Sequence, residues 1–178
     1  MEIISTDFND LYVLQFDVFT DNRGEFVKTI HKDTFIASNL NYQFQESFFS
    51  ISHKNVFRGM HYQLPPNDHV KLVTVIKGRI IDVALDLRSN SPHFGRFFTI
   101  ELSESNRKGL YLGSGFAHGF LSLENDTIVE YHTSTVQNKD SEAGVRWDSF
   151  GFTLPTNRPI ISNRDESFSP FDSELKYF

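Results

Sequence analysis

The middle of the chain is a succession of short apolar runs separated by turn residues. "KLVTVIKG" and "RIIDVALDLR" are rich in β-branched residues, and "FGRFFTIELS", "GLYLGSG", "AHGFLSLEN" and "TIVEYHTST" follow at short intervals. Runs of this length predict strands, and their even spacing predicts an all-β sandwich or barrel. Lys77-Gly78-Arg79 reads as a tight hairpin between the first two runs, and Glu124-Asn125-Asp126 as a second hairpin turn. Only "KDTFIASNL", residues 32–40, suggests a short helix, with Asp33 placed to cap it. From about residue 155 Pro and Ser punctuate the chain, which predicts a loop-rich tail over the surface with a short terminal helix. Within "RIIDVALDLR", alternation puts Ile81, Val83 and Leu85 on one face and Asp82, Ala84 and Asp86 on the other. A solvated face is the simpler home for a mid-strand carboxylate; a polar cavity inside a ligand-sized barrel is the alternative.

Composition narrows the classes. The 178 residues suit one domain, 1–178, with a substantial core, and 19 of them are Phe, whose large apolar ring favours strands. Without Cys there can be no disulfide, thiolate zinc site or cysteine nucleophile. No apolar run is long enough to span a bilayer, and the acidic start "MEIISTDFND" lacks a signal-peptide pattern, so a cytoplasmic protein is expected. The net charge of −6 argues against a general nucleic-acid binder. A local group of Arg, Lys and His can still hold a small anion.

Two of the seven His stand apart. His61 in "RGMHYQ" and His118 in "GFAHGF" lie in Gly-flanked, aromatic-rich strand segments, where glycine permits close approach by another strand or a ligand. Either one alone reads as a core histidine; two in one small barrel point to a shared site. His31, His53, His69, His93 and His132 sit in polar or turn sequence and are expected at the surface. Lys71 opens an apolar strand, where a snorkelling lysine is the ordinary reading. Arg23 and Arg58 each precede Gly and suit either a turn or a phosphate clamp. Tyr131 in "VEYHT" is a core strand tyrosine by default.

Four segments, in order, carry a resemblance: "FTDNRGEF", the long stretch from "NVFRGMHYQLPPNDHVKLVTV" to "FGRFFTIELS", "GSGFAHGFLSL" and "EAGVRWD". Over roughly residues 8–166 the chain resembles the dTDP-4-dehydrorhamnose 3,5-epimerase family, whose domain is a cupin-type double-stranded β-helix. The resemblance implies a cofactor-independent isomerase acting on a nucleotide-linked 4-keto-6-deoxyhexose. It implies His61 as base, Asp165 as the carboxylate orienting it, Lys71 as the cation near the enolate oxygen and Tyr131 as the acid on the other face. His118 would lie near the diphosphate or sugar, Arg23 and Arg58 at the diphosphate, and Glu142 on the nucleoside side. Gln63 belongs to the R-G-x-H-x-Q element and Arg164 to "SNRD", and both are expected to line the substrate site. Lys28 stands where the family commonly has an acidic residue. Glu46-Ser47-Phe48 replaces a Gln-Asp-Asn run on a nucleotide-facing strand, "STVQN" lacks a second Tyr, and Gly113 replaces a Pro. A 3-epimerase, a 5-epimerase or a double epimerase fits. The resemblance also implies a homodimer, for which the apolar "LYVLQFDVF" suits an exchanged edge strand.

Three rival classes share the barrel. A metal enzyme would carry an H-x-H pair, a Glu and a later His, but the position two after His61 is Gln63, no Glu follows at the usual distance, and only His118 of the set remains. No metal is expected. A pure sugar-binding module would not need His61, Asp165, Lys71 and Tyr131 together. A 3,4-ketoisomerase would differ in the position of the product carbonyl.

Overall fold

A computed structural model describes residues 1–178. The chain begins with β1 (Glu2–Ser5), β2 (Leu11–Gln15), β3 (Val18–Asp21), β4 (Gly24–Val27) and the helix α1 (Lys32–Ala37). The central strands are β5 (Glu46–Ser52), β6 (Phe57–Gln63), β7 (Lys71–Lys77), β8 (Arg79–Asp86) and β9 (Phe97–Ser103). They are followed by β10 (Lys108–Leu112), β11 (Phe116–Ser122), β12 (Thr127–Thr133), β13 (Glu142–Gly144) and the single-turn α2 (Asn163–Glu166). A six-stranded sheet in the order β1-β2-β10-β7-β12-β5 faces a five-stranded sheet in the order β13-β6-β11-β8-β9, and β3-β4 form a separate ribbon. The two facing sheets make the expected double-stranded β-helix.

Both hairpins expected from the turn residues are corrected. Gly78 alone joins β7 to β8, yet these strands lie in different sheets, and so do β11 and β12 on either side of Glu124-Asn125-Asp126. Turn residues signal that the chain reverses; they do not say which sheet receives the next strand. Gly78 is required at its corner, because its φ is +82° and a Cβ there would come 2.5 Å from Thr127 Oγ1. The segment 11–19 also divides. Leu11–Gln15 is an inner strand paired on both sides within its own sheet, and Val18–Asp21 belongs to the exposed ribbon. The helix ends at Ala37 rather than 40, and its capping position is His31, leaving Asp33 in the first turn.

Strands with two apolar faces need two partners each. Between the sheets lie Val73, Val75, Ile80, Ala84, Leu110, Phe120 and Val129. Outside the five-stranded sheet, Phe57, Val83, Leu85 and Leu121 pack with Phe152, Leu154 and, at their margin, Phe171 and Phe178. Outside the six-stranded sheet, Leu14, Leu72 and Tyr111 pack under Phe35 of α1. The C-terminal tail is therefore a structural layer and not a loose wrapping. Its aromatic residues complete a core that the five-stranded sheet cannot complete alone, and its only helix is α2.

The same parity explains Asp82. It lies between Ile80 and Ala84 on the inward face of β8, fully buried, and not on the solvated face that the sequence favoured. His118 and His61 are direct cross-strand partners, and the register shifts between His118 and Phe120. The strands meet so closely here that a Cβ on Gly59, whose φ is +140°, would stand 2.5 Å from Gly119 Cα. No helix is long and apolar enough to cross a membrane.

Gly59→Ala forces β6 off β11 and imposes a disfavoured φ on an alanine, so it is expected to destabilise the fold by about 1–3 kcal/mol. Urea unfolding followed by tryptophan fluorescence measures this; an unchanged midpoint would show that the two strands need not approach so closely.

Candidate active site

A cavity of about 480 Å³ opens between the sheets, lined by Glu46, Phe48, Ser50, Arg58, His61, Gln63, His69, Lys71, His118, Tyr131, Gln137, Glu142 and Arg164, among others. β6 and β11 of the five-stranded sheet supply His61 and His118; β7 and β12 of the other supply Lys71 and Tyr131. The histidines therefore confront the lysine and the phenol across the barrel. The His118 and Tyr131 rings meet edge to face with centroids 6.2 Å apart.

His61 Nε2 lies 2.9 Å from Asp165 Oδ1, and Asp165 Oδ2 accepts from the Gly59 backbone N–H at 3.0 Å. Burial alone would raise the Asp165 pKa; the hydrogen bond and charge of His61, with the Gly59 N–H, outweigh it and hold the carboxyl below its usual value. An ionised carboxylate at Nε2 fixes the proton on that nitrogen, so Nδ1 carries the free lone pair. Asp165 comes from α2, whose cap Ser162 accepts from the Asp165 N–H at 3.1 Å. Phe168 follows, its ring edge-on to His61 and lying over Gly144, where any Cβ would overlap it.

Asp82 balances the interior. It is fully buried, and its two oxygens lie 2.9 and 3.0 Å from His118 Nε2. Loss of hydration lowers the His118 pKa in spite of Asp82, so the imidazole is neutral and donates to the carboxylate. Loss of hydration also lowers the Lys71 ammonium to about 8, against the attraction of Asp82. Burial raises the Tyr131 phenol well above its usual value, although Ser50 Oγ lies 3.3 Å from the hydroxyl. Phe48 stacks on the Tyr131 ring at 4.8 Å, fixing its plane.

The mouth holds Arg58, whose Nε donates to Ser52 Oγ at 3.1 Å and whose second guanidinium arm reaches Ile51 O. Opposite, Glu46 accepts from the Gln137 backbone N–H at 2.8 Å, Glu142 accepts from the Gln137 amide at 2.6 Å, and Arg164 pairs with Glu142 at 3.2 Å. Gln63 lines the cavity but is occupied elsewhere: its amide donates to Asn67 O at 2.6 Å and accepts from the Asn138 N–H at 2.7 Å. It braces the wall instead of offering itself to a ligand. Arg23 and Lys28, expected at the substrate, do not line this cavity. Arg23 is exposed at the tip of the β3-β4 ribbon, held by Asp21, and Lys28 faces a small separate hollow beside Asp17 and His31.

Sequence reasoning missed His69 and misplaced Asp82. His69, expected at the surface, lines the cavity, while His31 and His53 are exposed as expected; His93 and His132 are half-buried. The signal for His69 was its parity with Lys71, two residues on. For Asp82 it was a carboxylate amid apolar strand residues.

The family model described as dTDP-4-dehydrorhamnose 3,5-epimerase matches residues 5–173. A curated protein of that name from Methanothermobacter thermautotrophicus is 35% identical over 179 residues, covering 98% of this chain and 96% of the relative. A solved structure of that name from Elizabethkingia anophelis NUHP1 superposes with a TM-score of 0.90 at 34% identity, covering 98% of both chains. Another, from Bacillus anthracis str. Ames with TDP and PPi bound, gives a TM-score of 0.92 at 32% identity, covering 96% of this chain and 99% of that one. Matched along nearly its whole length in sequence and in fold, this chain belongs to the dTDP-4-dehydrorhamnose 3,5-epimerase family.

Proposed function

We propose that the protein epimerises a dTDP-linked 4-keto-6-deoxyhexose at carbon 3, carbon 5 or both. The observation that carries this reading is a carboxylate-oriented imidazole on one sheet facing a lysine and a protonated phenol on the other. Carbons 3 and 5 flank the carbon 4 ketone, so a hydrogen on either can leave as a proton and the electron pair moves to the carbonyl oxygen as an enolate. His61 Nδ1 takes the proton and the imidazolium is stabilised by Asp165. Lys71 faces the enolate oxygen. Tyr131 then returns a proton to the carbon from the opposite face, which inverts the centre, and the carbonyl re-forms.

The two protonation states match these tasks. A ketone α-hydrogen is far less acidic than imidazolium, and each unit of mismatch is worth about 1.4 kcal/mol, so enolate stabilisation supplies much of the lowering of the barrier. Lys71 provides it as a charge already in place. A phenol with a raised pKa keeps its proton at neutral pH and releases it only to a strong base such as a carbanion. Arg58 is placed to meet the diphosphate, a task suited to a guanidinium fork. Glu46, Gln137 and Glu142 form the nucleoside end. A cytoplasmic location fits a nucleotide-activated substrate.

The proposal includes a homodimer. The ribbon leaves Phe19 61% exposed, and edge strand β5 leaves Phe49 64% exposed, apolar surface that a second copy would cover. Such pairing supports roles for Arg23 and Lys28 at the diphosphate of a neighbouring cavity.

Incubation with dTDP-4-keto-6-deoxyglucose in deuterium oxide tests the function directly. The wild type is expected to wash deuterium into carbon 3, carbon 5 or both. His61→Ala abolishes wash-in, and Tyr131→Phe retains exchange but loses inverted product. A wild type that exchanges neither hydrogen would refute the proposal, and undiminished inversion in Tyr131→Phe would assign the acid to another group.

Lys71 predicts a pH dependence. The ammonium is the working form, so kcat should fall as pH rises through about 8. Lys71→Met should lose roughly 10²–10³-fold in kcat with little change in KM, and should lose this alkaline limb as well. A larger effect on KM than on kcat would make Lys71 a ligand for ground-state substrate.

Sedimentation equilibrium is expected to give twice the 20.6 kDa chain mass. A monomer would withdraw the dimer and with it the roles of Arg23 and Lys28.

A further inference from the structure

We propose that His69 is a second donor to the enolate oxygen, presenting a fixed, uncharged Nε2–H to the same atom that Lys71 faces. The proposal rests on the epimerase reading above and adds a residue to it. His69 lies two positions before Lys71, where the chain runs into β7. Along that strand Lys71, Val73 and Val75 point into the barrel, and His69 shares their parity and lines the same cavity.

The orientation of its ring follows from a chain of hydrogen bonds. The Asn138 N–H donates to Gln63 Oε1 at 2.7 Å, which identifies the other end of that amide as its NH₂ group. Gln63 Nε2 donates one hydrogen to Asn67 O at 2.6 Å; its second faces His69 Nδ1 at 3.3 Å, ahead of Val136 O at 3.4 Å and Thr135 Oγ1 at 3.5 Å. A donor facing Nδ1 makes that nitrogen the acceptor, so the ring proton sits on Nε2. Nε2 makes no hydrogen bond within the chain and is not sealed in the interior. On a ring that lines the cavity, this leaves the Nε2 proton free to give.

The charge of the ring suits the task. Burial, with further repulsion from Lys71 and His118, lowers the His69 pKa to about 3. The imidazole therefore stays neutral at any working pH and can sit beside the Lys71 ammonium without opposing it. Two donors of different kinds then converge on one oxygen: a cation that supplies charge and a neutral N–H that supplies direction. Because Gln63 is tied to Asn67 at one end and Asn138 at the other, the ring is held before substrate arrives. Donors fixed in advance at the place where charge develops act mainly in the transition state. This also accounts for a fully buried Gln63 on the cavity wall whose hydrogen bonds are all internal.

The test uses the full-length protein with dTDP-4-keto-6-deoxyglucose near neutral pH, alongside calorimetric binding of dTDP alone. His69→Phe, which keeps a flat ring and removes the donor, should lower kcat by about 10²-fold while KM and dTDP affinity stay within about threefold. His69→Gln, which restores a side-chain N–H, should recover most of the loss. Nitrogen NMR of the histidines in the wild type, which depends on no variant, should show His69 neutral with its proton on Nε2. The proposal is overturned by a His69→Phe kcat near wild type, by an equal loss of dTDP binding, by a Gln variant no better than Phe, or by a ring protonated on Nδ1. In each of these cases the wild type still exchanges substrate hydrogen, so the epimerase reading survives. A wild type that exchanges none removes both.

Discussion

The hydrogen bond between His61 and Asp165 joins the two ends of the structure that the site requires. His61 stands on β6, in the middle of the barrel, and Asp165 arrives from a tail that follows the last strand. The carboxylate sets the tautomer of the imidazole and also binds the Gly59 N–H, so the same two oxygens orient His61 and pin the strand that carries it. That geometry depends on everything which holds the tail in place. Phe152, Leu154, Phe171 and Phe178 cover the outer face of the five-stranded sheet, and Phe168 closes over Gly144 beside His61. Packing energy far from the chemistry thus fixes the position of one carboxylate.

The barrel interior holds the opposite kind of environment. Asp82, His118, Lys71 and Tyr131 are polar groups in a space otherwise filled by aliphatic and aromatic side chains. Buried polar groups cost free energy unless they are paired, and here the pairing is uneven. Asp82 and His118 satisfy each other, whereas Lys71 keeps a depressed pKa and Tyr131 a raised one. The unsatisfied remainder is what the substrate would complete. Three hydrophobic clusters, on the inside and on both outer faces, offset the cost of keeping these groups out of water.

The cavity mouth is built from polar and aromatic side chains that hold one another. Phe48 stacks on Tyr131, and Glu46 and Glu142 are bridged by Gln137. These side chains surround the Tyr131 phenol and the open end of the cavity and make no hydrogen bond to His61. In the reaction proposed above they would act on which substrate is held and how its ring is presented, while His61, Lys71 and Tyr131 would carry the proton transfers.

Much of this was legible in the chain alone. Short apolar runs between turn residues located β7 to β12, the glycines beside His61 and His118 marked a close approach of strands, and the family resemblance pointed to His61, Lys71, Tyr131 and Asp165. These are local properties: alternation follows from the pleat, and a glycine is demanded by its own φ or by what touches it. Other features could not be read locally. The turns at Gly78 and at Glu124–Asp126 look like hairpins, and only the burial of both faces of each strand sends their neighbours to opposite sheets. Asp82 has the sequence of a solvated position; the outer layer supplied by a distant tail turns its face inward. Arg23 belongs to the motif but lies outside its own chain's cavity, since reach is set by where the ribbon projects. The neutral states of His69 and His118 come from neighbours brought together through space by the fold, because protonation answers to local hydration and charge and not to position along the chain.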